Sequence, residues 1–407
     1  MSKAFEVVIV GGGAAGITIA AILNRRNRQI RVAIVEPSDV HYYQPALTLV
    51  GAGVQSLSHN TRLEVQVIPK NATWIKDKVV SFEPEDNQLQ LAGGDSVQYD
   101  YLVVCAGLQC DWDKIEGLVD NLGKNGVTSN YSPEHAPYTW ECIRDLRADD
   151  GPAVFTQSAM PIKCPGVPQK IAYLAAHYFQ KKRRRDIPVI FRTATPSIFG
   201  VPYFAKVLMK VIKGWGIDFT PQTSLIKIDG KKRMATFVDG EGQTSEVEYG
   251  MLHVVPPQSA PDFIQSSPLA DENGWMDVDK NTLQSTRYDN VFGLGDVTNS
   301  PNSKTAAAIR KQAPVVIDNL LALKANADLS SDYDGYSSCP LTTSYGKMVL
   351  AEFRYGGQVT PTFPLSPKVP RRSYWYLKLW GLSILYWDFM LKGYEWDKAH
   401  DVDFVED

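Results

Sequence analysis

Apolar positions first gather in a short run, Glu6-Val7-Val8-Ile9-Val10, with the length and β-branched content of a buried strand. Gly11-Gly12-Gly13-Ala14-Ala15-Gly16 follows at once, and Ile17 to Leu23 then reads as helix. A second apolar run, Val32-Ala33-Ile34-Val35, ends in Glu36, twenty residues past Gly16. In such a strand–turn–helix, Gly11 permits the tight turn, Gly13 lets the backbone approach a pyrophosphate, and Gly16 lets helix pack on strand. Ala14 and Ala15 sit where a helix N-terminus offers free N–H groups and the positive end of its dipole. An acid placed like Glu36 accepts hydrogen bonds from an adenosine ribose. The whole unit predicts a dinucleotide site.

Further along, residues 72–97 alternate as short strands broken by turns at 83–87 and 93–95, with Val80 a candidate cofactor contact. Tyr99 to Gly107 reads as a buried strand ending in small residues, Ala106 and Gly107, where backbone can approach a bound cofactor. A later apolar run, Asn290 to Leu294, ends in Gly295-Asp296, and Lys304-Thr305-Ala306-Ala307 opens another helix. A Gly-Asp strand end paired with an N-terminal glycine fingerprint is the two-part pattern of flavoproteins, and it favours FAD over NAD in the first site. The predicted fold is α/β, with two Rossmann-like dinucleotide-binding domains and a C-terminal membrane-docking region. The expected divisions are 1–120 and 256–340 for the FAD domain, 121–255 for an inserted nicotinamide-domain-like region, and 341–407 for the docking region.

The inserted region decides the chemistry. Ala153 to Thr156 reads as its first strand, but the following residues, Gln157 to Gly166, lack a glycine cradle and contain Cys164 instead. The next strand, Pro188 to Phe191, runs into Arg192 with no acid to hold a ribose. A nicotinamide fold without its fingerprint argues against an NADH dehydrogenase. Cys164 precedes an expected helix beginning near Lys170, and a helix N-terminus favours thiolate. Cys339-Pro340 lies beyond the second FAD segment. Two cysteines, each before a proline and each beside a piece of the flavin site, suggest a disulfide that exchanges electrons with FAD. Cys105, Cys110 and Cys142 read as inert residues.

Composition narrows the classes. The chain has 407 residues, 44% hydrophobic and 21% charged, with a net charge of −3. That balance disfavours a nucleic-acid partner. The first strand begins within a few residues of Met1, from which no signal or transit peptide is expected. The six histidines show no ligand spacing, so no metal is expected. The basic run 181–185 reads as a solvated helix end, with an anionic-lipid contact as the alternative. Residues 371–392 are dense in aromatics and leucine with basic flanks, yet the longest uncharged stretch, Leu379 to Trp387, is too short to span a bilayer. Docking on a membrane surface is the expectation, against a helix that closes the core or meets a second copy of the chain in a homodimer.

Taken together, the Gly11–Gly13 turn, Val35-Glu36-Pro37, Tyr43-Gln44-Pro45, Ile162-Lys163-Cys164 with Pro168-Gln169-Lys170, Gly295-Asp296, Ser303 to Ala308 and Ser338-Cys339-Pro340-Leu341 resemble the sulfide:quinone oxidoreductases nearly end to end. The resemblance implies that hydrogen sulfide attacks at Cys339, leaving a persulfide there and freeing the Cys164 thiolate. That thiolate attacks the flavin, and a membrane quinone such as ubiquinone takes the electrons from the opposite side. A small acceptor (a thiol, sulfite or sulfide) removes the sulfur. Glu36 would hold the ribose, Gln44 the cofactor, Asp296 the ribityl chain, and Lys304 with the amides of Thr305, Ala306 and Ala307 the charge of the reduced ring. Tyr345 and Phe353 are candidates for the quinone pocket. The expected location is peripheral, at the cytoplasmic face of a bacterial inner membrane. Two other readings use the same fold: a type II NADH:quinone dehydrogenase, and a flavin redox sensor without turnover.

Overall fold

The computed structural model describes residues 3–182 and 186–395. Strands from both ends of this span share one sheet. It runs in the order β3 (Ala72–Ile75), β2 (Val32–Val35), β1 (Lys3–Val10), β6 (Ser96–Val104), β5 (Gln88–Leu91), β4 (Val79–Glu83). The first half of β6 pairs antiparallel with β5. Its last three residues pair parallel with a strand formed 187 residues later, Val291–Gly293. β1, β2 and β6 are parallel, and Val10, Val35 and Val104 lie in register. The segments that follow these strands therefore emerge at one edge, where ligands of open α/β sheets bind. Burial explains the strand sequences: Val7, Val8 and Ile9 are fully covered, as are Ala33 and Ile34.

A second, all-parallel sheet is built from β7 (Val127–Thr128), β8 (Ala153–Gln157), β9 (Val189–Thr193), β10 (Asp218–Thr220) and β11 (Met251–His253), in the order β7-β11-β8-β9-β10. The loop after β8 carries Cys164 and leads into α2 (Val167–Lys181), which follows α1 (Ala14–Arg26) of the first sheet. α2 packs on β13 (Ser337–Ser344), which pairs antiparallel with β14 (Lys347–Phe353); β12 denotes Val291–Gly293. α3 (Ala306–Lys324) begins at Thr305, whose hydroxyl caps the Ala308 N–H. Of the basic run, Lys181 and Lys182 are exposed at the end of α2, and 183–185 lie outside the described residues.

Residues 372–392 form a continuous helical tail in which α-type turns alternate with wider π-type turns. The widening keeps residues four apart on one face, a spacing the 3.6-residue α-helix would rotate out of line. Tyr374, Lys378, Tyr386 and Met390 face inward and are buried. Tyr376, Trp380 and Ile384 face outward, each at least half exposed. The reading of a helix that closes the core describes the inward face, and the outward row stays exposed. The Tyr386 hydroxyl lies 2.6 Å from His41 Nε2, and the ring of Tyr386 packs 4.5 Å from that of Tyr43. Gly393 turns in a left-handed conformation against the backbone of Ala21, a place with no room for a side chain. Among the described residues no helix is long and apolar enough to cross a membrane.

The glycine turn separates two effects that a substitution can distinguish. A Cβ on Gly16 would stand 1.9 Å from the Gly11 carbonyl oxygen, whereas one on Gly13 meets nothing within 4 Å. Gly16→Ala is expected to cost about 1–3 kcal/mol or more, read as a lowered Tm of the cofactor-free protein. Gly13→Ala should leave that Tm unchanged and instead reduce the cofactor retained on purification. Equal Tm values for both variants would contradict this division.

Candidate active site

One cavity of about 910 Å³ lies where the edge of the first sheet, the Cys164 loop, the β13–β14 hairpin and the tail converge. Its dinucleotide end is formed by Gly12, Gly13, Ala14 and Ala15, with Glu36 and Gly107 beside them. Glu36 is held in place by accepting from the Gly12 and Ser38 backbone N–H groups, each at 2.7 Å. Those two bonds leave further acceptor positions on the carboxylate for a ribose. The open space over Gly13 is the cradle that a pyrophosphate needs, so these residues fit the group the sequence predicts. Gly295, Asp296, Thr305, Ala306 and Ala307 line the middle, and Gln44 is joined there to the Lys163 ammonium.

The chemistry gathers around Cys164. This residue adopts a left-handed backbone, φ +44°, which is strained for a side chain with a Cβ and marks functional sites when the surroundings enforce it. Here they do. The Cys164 N–H donates to the Lys304 carbonyl at 3.0 Å, and the Tyr131 hydroxyl donates to the Lys163 carbonyl at 2.9 Å. Both cysteines are free thiols in this structure and share a hydrogen bond. That bond, given by Cys339, holds the Cys164 sulfur well below the ordinary thiol range; burial opposes it, and the positive charges of Lys170 and Lys378 reinforce it. The same bond, burial and the Cys164 charge push Cys339 well up. With the Lys170 amine 3.2 Å from its sulfur, Cys164 is the member of the pair whose thiolate the surroundings favour.

Lys170 comes from the first turn of α2 and brings its Nζ to 3.2 Å from the Cys164 sulfur. Lys378 reaches in from the tail, is 3% exposed, and donates to the Pro45 carbonyl at 2.6 Å. Burial, and then the nearby Lys170 charge, push its pKa down to about 7. Neither lysine was assigned a role from the sequence. Lys170 is six residues from Cys164, a spacing that could have suggested it. Lys378 is more than two hundred residues away and carries no local signal.

Several sequence expectations are relocated. Val80 is 45% exposed on β4 and does not line the cavity. Gly11, Gly16 and Ala106 stand just behind the lining and shape it through the backbone. Lys304 lines the cavity, but its amine is spent on the carbonyls of Asp296 and Thr298, both at 2.7 Å, with Trp275 stacked 4.0 Å away. It clamps the Asp296 loop, and burial lowers its pKa to about 8. Phe353 is packed in the core against Phe199 and Phe204, and Tyr345 lines a different cavity, so neither borders this one. Burial pushes Cys110 up to about 11 and Cys142 up to about 12, the behaviour of unreactive thiols.

Comparison with known proteins places this geometry. The pattern of the Pyridine nucleotide-disulphide oxidoreductase family matches residues 5–136. A mouse protein named "Sulfide:quinone oxidoreductase, mitochondrial" is 42% identical over 393 residues, covering 96% of this chain and 87% of its own. The chain belongs to the sulfide:quinone oxidoreductase family. A Dictyostelium discoideum protein of the same name is 44% identical, covering 95% of this chain and 86% of its own. The solved structure of the Aquifex aeolicus sulfide:quinone oxidoreductase shares the fold with a TM-score of 0.80 at 21% identity, over 97% of this chain and 93% of that one. Members of this family are flavin-dependent oxidoreductases, in keeping with the dinucleotide edge. The mouse and Dictyostelium relatives are named as mitochondrial, which gives no support to a bacterial inner membrane for this chain.

The electrostatic account of Cys164 has a direct check in the pH profile of alkylation by iodoacetamide on the reduced protein. Cys164 is expected to react at pH 6, where an ordinary thiol is largely protonated. Lys170→Met and Lys378→Met should each move the midpoint upward. An unshifted profile in both variants would contradict the role of the two amines.

Proposed function

We propose that this protein oxidises hydrogen sulfide to sulfane sulfur and passes two electrons through FAD to a membrane quinone. The observation that carries the reading is the Cys164–Cys339 pair, of which Cys164, with the Lys170 amine 3.2 Å from its sulfur, lines a cavity that has a dinucleotide cradle at one end. In the oxidised pair, hydrosulfide attacks the Cys339 sulfur and the disulfide bond breaks. The electron pair leaves on Cys164, because exchange expels the thiolate of lower pKa and Lys170 and Lys378 compensate its charge. Cys339 then carries the extra sulfur. A thiol, sulfite or sulfide nucleophile takes that sulfur, and the two cysteines re-form their bond as two electrons depart. The sulfide side thus releases two electrons and one proton per hydrosulfide, and quinone takes up two electrons and two protons. The flavin supplies the two-electron relay between them; Glu36, Gly13, Gln44 and Asp296 would hold it.

The hairpin supports a division between the two half-reactions. Ser338 pairs with Glu352 and Pro340 with Leu350, and all four line the cavity, while the intervening Cys339 is fully buried toward α2. With Phe363 and Leu377, Pro340 and Leu350 make an apolar approach suited to a quinone ring, bordered by the polar Ser338 and Glu352. The outward row Tyr376, Trp380, Ile384 and Phe389 would rest at the headgroup level of a bilayer. The limits at 120 and 255 are retained as part of the proposal; the limit at 340 is not, because it falls inside β13.

Anaerobic titration of the purified protein with sulfide should give a long-wavelength thiolate-to-flavin absorption band and bleach the flavin; a short-chain quinone should restore the oxidised spectrum. Cys164→Ser should lose both the band and turnover, by more than about a hundredfold. Rapid bleaching by NADH, with indifference to sulfide, would instead establish a dehydrogenase.

A further inference from the structure

A second cavity, of about 770 Å³, opens where the tail begins. It is separate from the cavity of the thiol pair and plays no part in the chemistry above. Its walls come from α2, from the last turn of the helix Pro202–Trp215, from the β13–β14 turn and from the first residues of the tail. Aromatic rings form one side: His177 lies 5.2 Å from Trp215 and 5.4 Å from Tyr345, and Tyr345 lies 6.2 Å from Trp375. The Trp215 indole is fixed by donating to the Thr343 carbonyl at 2.8 Å.

The polar lining is one-sided. Lys347 and Arg372 supply two cationic side chains, and no aspartate or glutamate lines the cavity. His177 accepts at Nδ1 from the Tyr345 backbone N–H at 2.9 Å, so its neutral ring carries the proton on Nε2. Burial, with the charge of Lys181, holds the ring in that neutral form. The histidine is thus a donor. The Ser344 hydroxyl adds another. Donors and cations without a carboxylate select an anion. Two further features select its kind. The aromatic wall offers an apolar surface that a free inorganic anion would not use. Tyr376 borders the cavity and also begins the exposed row with Trp380, the surface read above as resting on a bilayer.

We propose that this cavity binds the phosphate of an anionic phospholipid, with Lys347, Arg372 and His177 on the phosphate and the rings of Trp215 and Trp375 against the glycerol. This rests on the membrane-docking reading. The bound lipid fixes the orientation of the tail on the surface and makes docking selective for anionic bilayers. Juxtamembrane lysines and arginines each contribute enough for such selection.

Binding of the full-length protein to phosphatidylcholine vesicles, with and without about one-third phosphatidylglycerol, tests both readings separately. The wild type should bind neutral vesicles and prefer the anionic ones, and Lys347→Gln/Arg372→Gln should lose about 30-fold of that preference. The double variant should keep its binding to neutral vesicles and its turnover of sulfide with a short-chain quinone. A monomeric dihexanoyl phosphatidylglycerol should raise the Tm of the wild type and not that of the variant. Equal stabilisation by inorganic phosphate would make this a phosphate site and overturn the lipid assignment. Neutral binding without any anionic preference overturns the cavity proposal alone; failure to bind either vesicle overturns the docking reading beneath it.

Discussion

A thiolate largely withdrawn from water needs partners for its charge, and much of this architecture follows from that constraint. Removing a charge from water costs several kcal/mol unless partners restore the lost solvation. Around Cys164 the partners are the Cys339 thiol and two lysines, each delivered by a different part of the chain. Lys170 comes from α2, Cys339 from β13 and Lys378 from the tail. Lys378 brings a burden of its own, since burial and the Lys170 charge lower its pKa to about 7 and the negative charge of Cys164 works against that. Charge on sulfur and charge on nitrogen sustain one another, which ties three elements into one site.

The same arrangement links the tail to the chemistry. Lys378 anchors on the Pro45 carbonyl, beside Gln44 of the cavity, while two residues before it Tyr376 faces outward. A further latch joins Tyr386 to His41, itself beside the Gly12 carbonyl and the buried Glu64. The tail is therefore a wall of the cavity as well as an outer surface, and the π-type widening lets its inner and outer rows both run straight. A lipid-soluble electron acceptor and a water-soluble sulfur donor can then use one enclosed space from different sides.

Much of this was readable from residues in order. Gly11, Gly13, Gly16 and Glu36 specify a local unit, and parallel pairing places it beside the strand end at Gly295-Asp296. The cysteines stood out because each precedes a proline and lies beside a piece of the flavin site. What escaped were facts of register and reach. Phe353 was chosen for its ring, yet in β14 it is Glu352, one residue earlier, that faces the cavity; alternation turns Phe353 to the core. Lys304 sits where expected, but the direction of its amine is set by carbonyls that only the folded loop presents. Lys378 and Tyr386 depend on contacts across more than three hundred residues, for which no local pattern exists.

The central claim is that charge asymmetry within the pair directs sulfide to Cys339. Mass spectrometry of protein quenched by alkylation after one equivalent of sulfide, with no acceptor present, tests this directly. The account predicts one additional sulfur on the peptide bearing Cys339 and none on that bearing Cys164. The extra sulfur on Cys164, or an even distribution between the two, would contradict it.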